Sequence, residues 1–388
     1  MSRLPLAEEH LARLVAFATV SSRPNIDLIG WYADRLEALG ARVRVLEAPE
    51  SGKANLFATF GPDGDGGIVL SGHTDVVPAE ETGWTSDPFV LRDAGDLLYA
   101  RGACDMKGFL ACALASAPLY AGRLTRPLHV ALTHDEEVGC LGAQDLVALL
   151  RREGLRPAAA IIGEPTSMKI IDAHKGCCEY TTTFHGLEGH GSAPERGVSA
   201  TEYAGRFIVR LLELRHELTA RAPADSPFDP PHSTVQVGRM TGGVARNVIA
   251  GLASVDWELR PINAADKDHA IRAMRDFCNE TLLPAMRDVH QSANIETLTV
   301  GDVAGLEPVT DNEAREIVAA LTGDNGAATV SFGTEAGLFQ SLGCAAVVCG
   351  PGSIDQAHKA DEYVSRTQLG LCLDMLENLG ASLQGDTP

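Results

Sequence analysis

Residues 68–75 read IVLSGHTD, a short apolar run that ends on His73 and Asp75. Such a run is too short for a helix and reads as a buried strand that opens onto charged side chains. The form recurs three times. VALTHDEE (130–137) puts Glu136 and Glu137 behind the apolar run 128–133, and AIIGEP (160–165) puts Glu164 behind the run 158–162. AVVCGPGSIDQAH (346–358) places His358 a few residues beyond the run 345–349. Helical stretches lie between these runs. Ile26, Ile29, Ala33, Leu36 and Leu39 share one helical face that Gly40 terminates, and 107–120 and 367–379 also read as helices. Strands alternating with helices predict an α/β fold, a mostly parallel sheet with helices on both faces.

The middle of the chain follows another pattern. Glu179–His185 (EYTTTFH) alternates like a half-exposed strand, as do 233–239 and 252–260, with amphipathic helices over 201–218 and 268–283. This is an α+β unit of the antiparallel kind. The expected organisation is therefore a catalytic domain of residues 1–176 and 299–388, interrupted by an inserted domain at 177–298.

Composition narrows the chemistry. The 388 residues carry 32 Lys and Arg against 52 Asp and Glu, a net charge of −20. That balance argues against nucleic acid or an anionic membrane as partner. No stretch reaches the roughly 18 apolar residues of a membrane span. The opening MSRLPLAEEHLARL mixes both charge signs and has no secretory apolar region. The nine cysteines form no CxxC and lie mostly in apolar surroundings, so reduced thiols in a cytoplasmic protein are expected. Phosphate-binding loops, a nucleophile elbow and zinc-finger spacings are absent from the sequence.

Ligand sites in open α/β sheets collect beyond the carboxyl ends of the strands. His73, Glu136, Glu137, Glu164 and His358 would therefore meet in one crevice. RGACDMKG (101–108) adds Asp105 at the start of a helix. Taken singly, each has a plainer reading: Asp105 as a helix cap, Glu136 and Glu137 as a solvated pair, His358 as a packing residue. Together, two histidines and three or four carboxylates would repel unless cations sat among them. A pair of divalent ions about 3.5–4 Å apart, bridged by a carboxylate and with water between them, removes the conflict. The mixed nitrogen and oxygen donors suit Zn²⁺, and less exclusively Co²⁺ or Mn²⁺. One of the adjacent glutamates is then spare to act as a base. In His73-x-Asp75, the aspartate can hold the second imidazole nitrogen.

SGHTDVVP, RGACDMKG, HDEEVG and GEPT, in this order, resemble the di-zinc aminoacylase and carboxypeptidase superfamily over the whole chain. IIGEPTSMKIIDAHKG, TEAGLFQ and GPGSIDQAHKADEY resemble its acetylornithine deacetylase branch. The resemblance implies that His73 and Glu164 bind one ion and that Glu137 and His358 bind the other. Asp105 would bridge both ions and Asp75 would orient His73. It makes Glu136 the general base and the Asp105-Met106 peptide cis. It gives the inserted domain a dimerisation or lid role, with His190 of GHGSAPERG reaching a neighbouring site to polarise the scissile carbonyl. Asn247 and Arg260 would contact substrate carbonyl or carboxylate groups, although Arg260 could also pair with Asp256 or Glu258 on its own strand. The activity implied is deacetylation of N-acetylornithine by a homodimer. Succinyl-diaminopimelate, acetyl-lysine, acetylcitrulline or a peptide are alternative substrates. Glu335, in SFGTEAG, is expected either to read the substrate ammonium or to begin a helix.

Overall fold

The short apolar runs form neighbouring strands. The structure is a computed structural model that describes residues 3–48, 51–80, 82–122 and 124–384. The outermost residues of the expected catalytic domain, 1, 2 and 385–388, lie outside the described residues. Leu128–Thr133, Ile68–His73, Ala159–Ile162 and Ala345–Val348 lie side by side and parallel. All residues of the first three are buried, which is why they show no polar alternation. The flanking strands are joined by antiparallel pairing. Lys53–Phe60 pairs antiparallel with Leu128–Thr133, Arg42–Ala48 antiparallel with Lys53–Phe60, and Ile171–His174 antiparallel with Ala345–Val348. With Ala328–Val330 at its end the sheet has eight strands among the described residues.

Helices Leu4–Ala16, Gly108–Ser116 and Arg366–Leu383 pack together against this sheet's core, and every residue of Gly108–Ser116 is buried. The helix expected over 107–120 stops at Ser116 and tightens into a 3₁₀ turn, Ala117–Leu119, because Pro118 has no N–H to continue the ladder. Ser365 opens the last helix by accepting the Gln368 N–H.

The chain divides into two compact units: Met1–Ala173 with Pro308–Thr329 and Thr334–Pro388, and His174–Glu307 with Val330–Gly333. The second unit is an antiparallel sheet in the order Thr234–Gly242, Leu252–Arg260, Cys177–His185, Asn294–Val303. Tyr180, Phe184, Val255 and Trp257 from the sheet and Phe207 and Leu211 from helix Ala200–Ala220 share its core. Two features differ from the sequence reading. Asn294–Val303 is an edge strand with five consecutive exposed residues, so it lacks a clear apolar face. The helix expected at 268–283 runs as Ala264–Phe277, a wider turn Cys278–Leu282, and Leu283–Val289. A separate ribbon pairs Gly189–His190 with Val248–Ile249.

Candidate metal centre

The parallel register brings the strand ends to one level. Ile68–His73 is flanked by Leu128–Thr133 and Ala159–Ile162, and His73 pairs with Thr133. His73 ends its own strand, Glu164 is the second residue after Ile162, and Glu136 and Glu137 follow Thr133 by a short turn. His358 arrives from the loop beyond Ala345–Val348.

Asp105 sits between these ends. It is not a helix cap: Gly102 turns the chain through φ 78°, and Asp105 (φ −118°, ψ 93°) and Met106 lie outside helical backbone. The Asp105-Met106 peptide is cis. One carboxylate oxygen, Oδ1, lies 3.0 Å from His73 Nε2, and the other, Oδ2, lies 3.3 Å from His358 Nε2. Glu164 Oε1 is 3.5 Å from His73 Nε2, and Glu137 Oε2 is 3.0 Å from His358 Nε2. Two groups result, His73–Asp105–Glu164 and Asp105–Glu137–His358, each with its ligand atoms within 4.8 Å of one another.

The electrostatics follow from this crowding. Burial alone would lower the His73 pKa, but Glu164 and Asp105 beside it raise it well above the ordinary imidazole value. Hydrogen bonding to Asp105 and Glu137 lifts His358 to about 10. Burial opposes ionisation of Asp105, yet the two imidazoles hold its carboxyl below the usual range. Glu164 is pushed well up by burial and by the Asp105 charge, and Glu137 is raised for the same two reasons. Burial lifts Glu136 to about 8; His73 pulls it down, while Glu137, Asp105 and Asp75 add to the rise. The arrangement is short of positive charge, and Glu164 Oε1 is buried with no hydrogen-bond partner. Nitrogen and carboxylate donors in these numbers, at these separations, fit divalent ions.

Asp75 does something other than the sequence suggests. His73 Nδ1 bonds the backbone carbonyl of Asp75 at 2.9 Å, whereas the nearest Asp75 carboxylate oxygen is 3.7 Å away. That carboxylate instead accepts the Glu136 N–H at 3.1 Å, the Glu137 N–H at 3.4 Å and the Ser21 hydroxyl at 2.7 Å. Asp75 therefore pins the turn that carries both glutamates. The Cys140 thiol, 3.5 Å from Glu136 Oε1, and Lys53, which bonds Asp135 and the Ser21 carbonyl, complete that turn's support. Nothing in the sequence marks Ser21 or Lys53 for this, since both lie far from every motif.

Glu335 begins a helix rather than reading a substrate charge. It is fully buried, and its two oxygens accept the hydroxyls of Ser71 at 2.5 Å and Thr133 at 2.8 Å. A carboxylate enclosed in this way ties two strand ends together and is not offered to a substrate ammonium. It precedes the helix Ala336–Gln340.

The remaining candidates lie in the second unit. His190 and Asn247 are neighbours on the small ribbon: His190 pairs with Val248, and the Gly191 N–H donates to the Asn247 carbonyl at 2.8 Å. His190 is exposed, with Nδ1 2.7 Å from the Ser192 hydroxyl. Arg260 is half-buried and makes the strand-neighbour pair, with Nη2 3.3 Å from Glu258.

A carboxylate held between two ligand groups, with a spare carboxyl beside it at the open edge of a parallel sheet, is the ground plan of a metal-dependent hydrolase. The chain belongs to the peptidase family M20/M25/M40, whose model matches residues 69–381, and is a hydrolase acting on amide bonds. It is 40% identical to an acetylornithine deacetylase of Myxococcus xanthus over 98% of both chains. It is 37% identical to one of Proteus mirabilis, over 93% of this chain and 92% of the other. In fold it is similar to an M20 family metallo-carboxypeptidase, Sso-CP2, of Sulfolobus solfataricus: TM-score 0.73, 17% identity, 96% and 98% of the two chains covered. It is likewise similar to the aminopeptidase PepT of Bacillus cereus: TM-score 0.71, 18% identity, 97% of each chain covered.

Proposed function

We propose that the enzyme deacetylates N-acetylornithine to ornithine and acetate, a step of arginine biosynthesis. The observation that carries the chemistry is Asp105, with one oxygen toward each ligand group. The full-length likeness to acetylornithine deacetylases supports the substrate. His73, Asp105 and Glu164 would hold one divalent ion and Asp105, Glu137 and His358 a second, Zn²⁺ by the donor set with Co²⁺ next. Such ions polarise a carbonyl oxygen and make a water more acidic.

The chain's own groups do the rest. Glu136, free of both ligand groups, accepts the proton of the attacking water on its carboxylate. It returns that proton to the amine nitrogen as the C–N bond breaks. Two cations beside it would draw its raised pKa back toward neutrality, where a base must work. Asp75 keeps the base in place through the Glu136 and Glu137 N–H groups. We assign His190 to the developing oxyanion, Arg260 to the substrate carboxylate and Asn247 to a carbonyl or carboxylate oxygen. Arg260 has a planar fork suited to a carboxylate, and substrate would displace its contact with Glu258.

The second unit is assigned to dimer formation or to a lid. Its edge strand Asn294–Val303 exposes Leu298 and Val300, and helix Ala200–Ala220 exposes Val209 and Leu212. His190 would then serve a partner's site. A cytoplasmic location is in keeping with nine free cysteines, eight of them buried. Among the described residues no helix is long and apolar enough to cross a membrane.

The test is a hydrolysis panel on zinc-loaded enzyme: N-acetylornithine, succinyl-diaminopimelate, acetyl-lysine, acetylcitrulline and dipeptides. Acetylornithine should give the highest kcat/KM. A dipeptide or another acyl amino acid turning over faster would overturn the substrate assignment and leave the chemistry standing.

A further inference from the structure

Glu362 has no part in the chemistry above, yet it is among the most enclosed charges of the catalytic unit, 1% exposed. Each of its oxygens accepts two hydrogen bonds. Oε2 takes the Arg101 guanidinium at 2.8 Å and the Gly102 N–H at 3.0 Å. Oε1 takes the Cys104 N–H at 2.9 Å and the Asp105 N–H at 3.1 Å. Three of these four donors are main-chain amides of the turn that presents Asp105. That turn is neither helix nor strand at Asp105 and Met106, so its amides depend on a side chain for an acceptor. Arg101 is as deeply buried as Glu362 and also donates to the carbonyls of Lys359 at 3.2 Å and Pro78 at 3.1 Å. The ion pair therefore bridges three segments.

Glu362 stands four positions after His358, on the same loop. The backbone there is held in the left-handed region at His358 (φ 58°) and Asp361 (φ 55°). The Glu362 carbonyl accepts the Ala100 N–H at 3.0 Å, so main chain as well as side chain joins the two loops. One loop supplies His358; the other supplies Asp105, whose Oδ2 faces that imidazole.

We propose that Glu362 is a positioning residue: with Arg101 it clamps the backbone of Asp105 to the loop that bears His358, so that one carboxylate can face both ligand groups. This rests on the reading of those groups as a two-ion site. Glu362 touches none of the candidate ligand atoms, and its effect passes through the Asp105 main chain. A Glu362→Gln change keeps the shape but turns one acceptor into a donor facing donors, and leaves Arg101 buried without its counter-charge. Partners one shell out from a metal are worth about 10–100-fold in affinity or activity.

The experiment titrates Zn²⁺ into metal-free wild type, Glu362→Gln and Glu362→Asp against a chelating dye, and follows thermal melting with and without Zn²⁺. The aspartate keeps the charge but falls one methylene short of spanning both pairs of donors, so it tests the clamp if the glutamine variant does not fold. Wild type should bind two ions. Both variants should bind Zn²⁺ about 10–100-fold more weakly, gain less melting temperature from Zn²⁺, and lose kcat with KM nearly unchanged. Variants that melt earlier yet bind both ions within about twofold of wild type would overturn the clamp and leave Glu362 a stabilising residue only. A wild type that binds no Zn²⁺ would overturn the reading of the site itself, and the clamp with it.

Discussion

The two ligand groups that share Asp105 sit in different surroundings. His73, Glu164 and Asp105 are 0%, 4% and 5% exposed, whereas His358 leaves 51% of its side chain in solvent. The inner pair projects from strand ends in the middle of an eight-stranded sheet; the outer imidazole hangs on a loop. Glu164 Oε1 is buried with no hydrogen-bond partner, so a cation bound there would relieve the inner group, whereas the His358 side of the outer group faces solvent.

The largest effect expected concerns the carboxyl that belongs to neither group. Glu136→Gln should lower kcat by about 10²–10⁴-fold while both metal equivalents remain after dialysis. Loss of an equivalent would make Glu136 a ligand and erase the distinction between base and ligands. Asp75→Asn comes next, at about 10–100-fold in kcat/KM. Because its carboxylate serves the Glu136 and Glu137 amides rather than His73, the ion at the outer group should weaken more than the inner one. Equal weakening of both would restore the simpler role of orienting His73.

A chelator challenge compares the groups directly. The outer ion should leave at least about tenfold faster than the inner one, as a biphasic loss of metal, with outer-shell support of the size seen at metal sites. A single phase removing both would mean that exposure does not separate them.

The smallest effect uses a buried histidine that has no carboxylate beside it. His73 and His129 are both buried, but the acids around His73 raise it, while burial, with Arg42 adding, lowers His129 to about 4. The unfolded value, near 6.5, lies above the folded one, so the unfolded chain takes up the extra proton and stability falls as pH drops from about 6.5 to 4. That difference sets a ceiling of about 3 kcal/mol. In urea unfolding at pH 7, 5.5 and 4, His129→Gln should lose less stability than wild type over that span. Identical slopes would show that His129 is already charged in the folded protein.

Much of the candidate site was legible because His73, Glu137 and Glu164 end or closely follow buried strands, and a parallel sheet delivers such ends to one edge. Asp105 was legible as a residue, and the family resemblance implied its cis peptide, but what holds its turn was not legible: that is Glu362, more than 250 positions away. DEY follows the ligand loop in the sequence, yet nothing local shows that its glutamate points inward. Of the two readings of Glu335 the helix start holds; the ammonium contact does not, since a charge after a strand reads as offered to the crevice, whereas the side chain turns onto Ser71 and Thr133. The α/β class with a parallel centre was readable from the repeated strand form. The edge strand Asn294–Val303 was not, because five of its residues in a row face solvent and no single face is marked apolar.

If Asp105 joins two ion sites, anomalous scattering at the zinc edge from crystals grown with Zn²⁺ will show two peaks about 3.5–4 Å apart, one beside His73 and Glu164, the other beside Glu137 and His358, with Asp105 between them. A single peak, or two peaks that do not share Asp105, would contradict that reading.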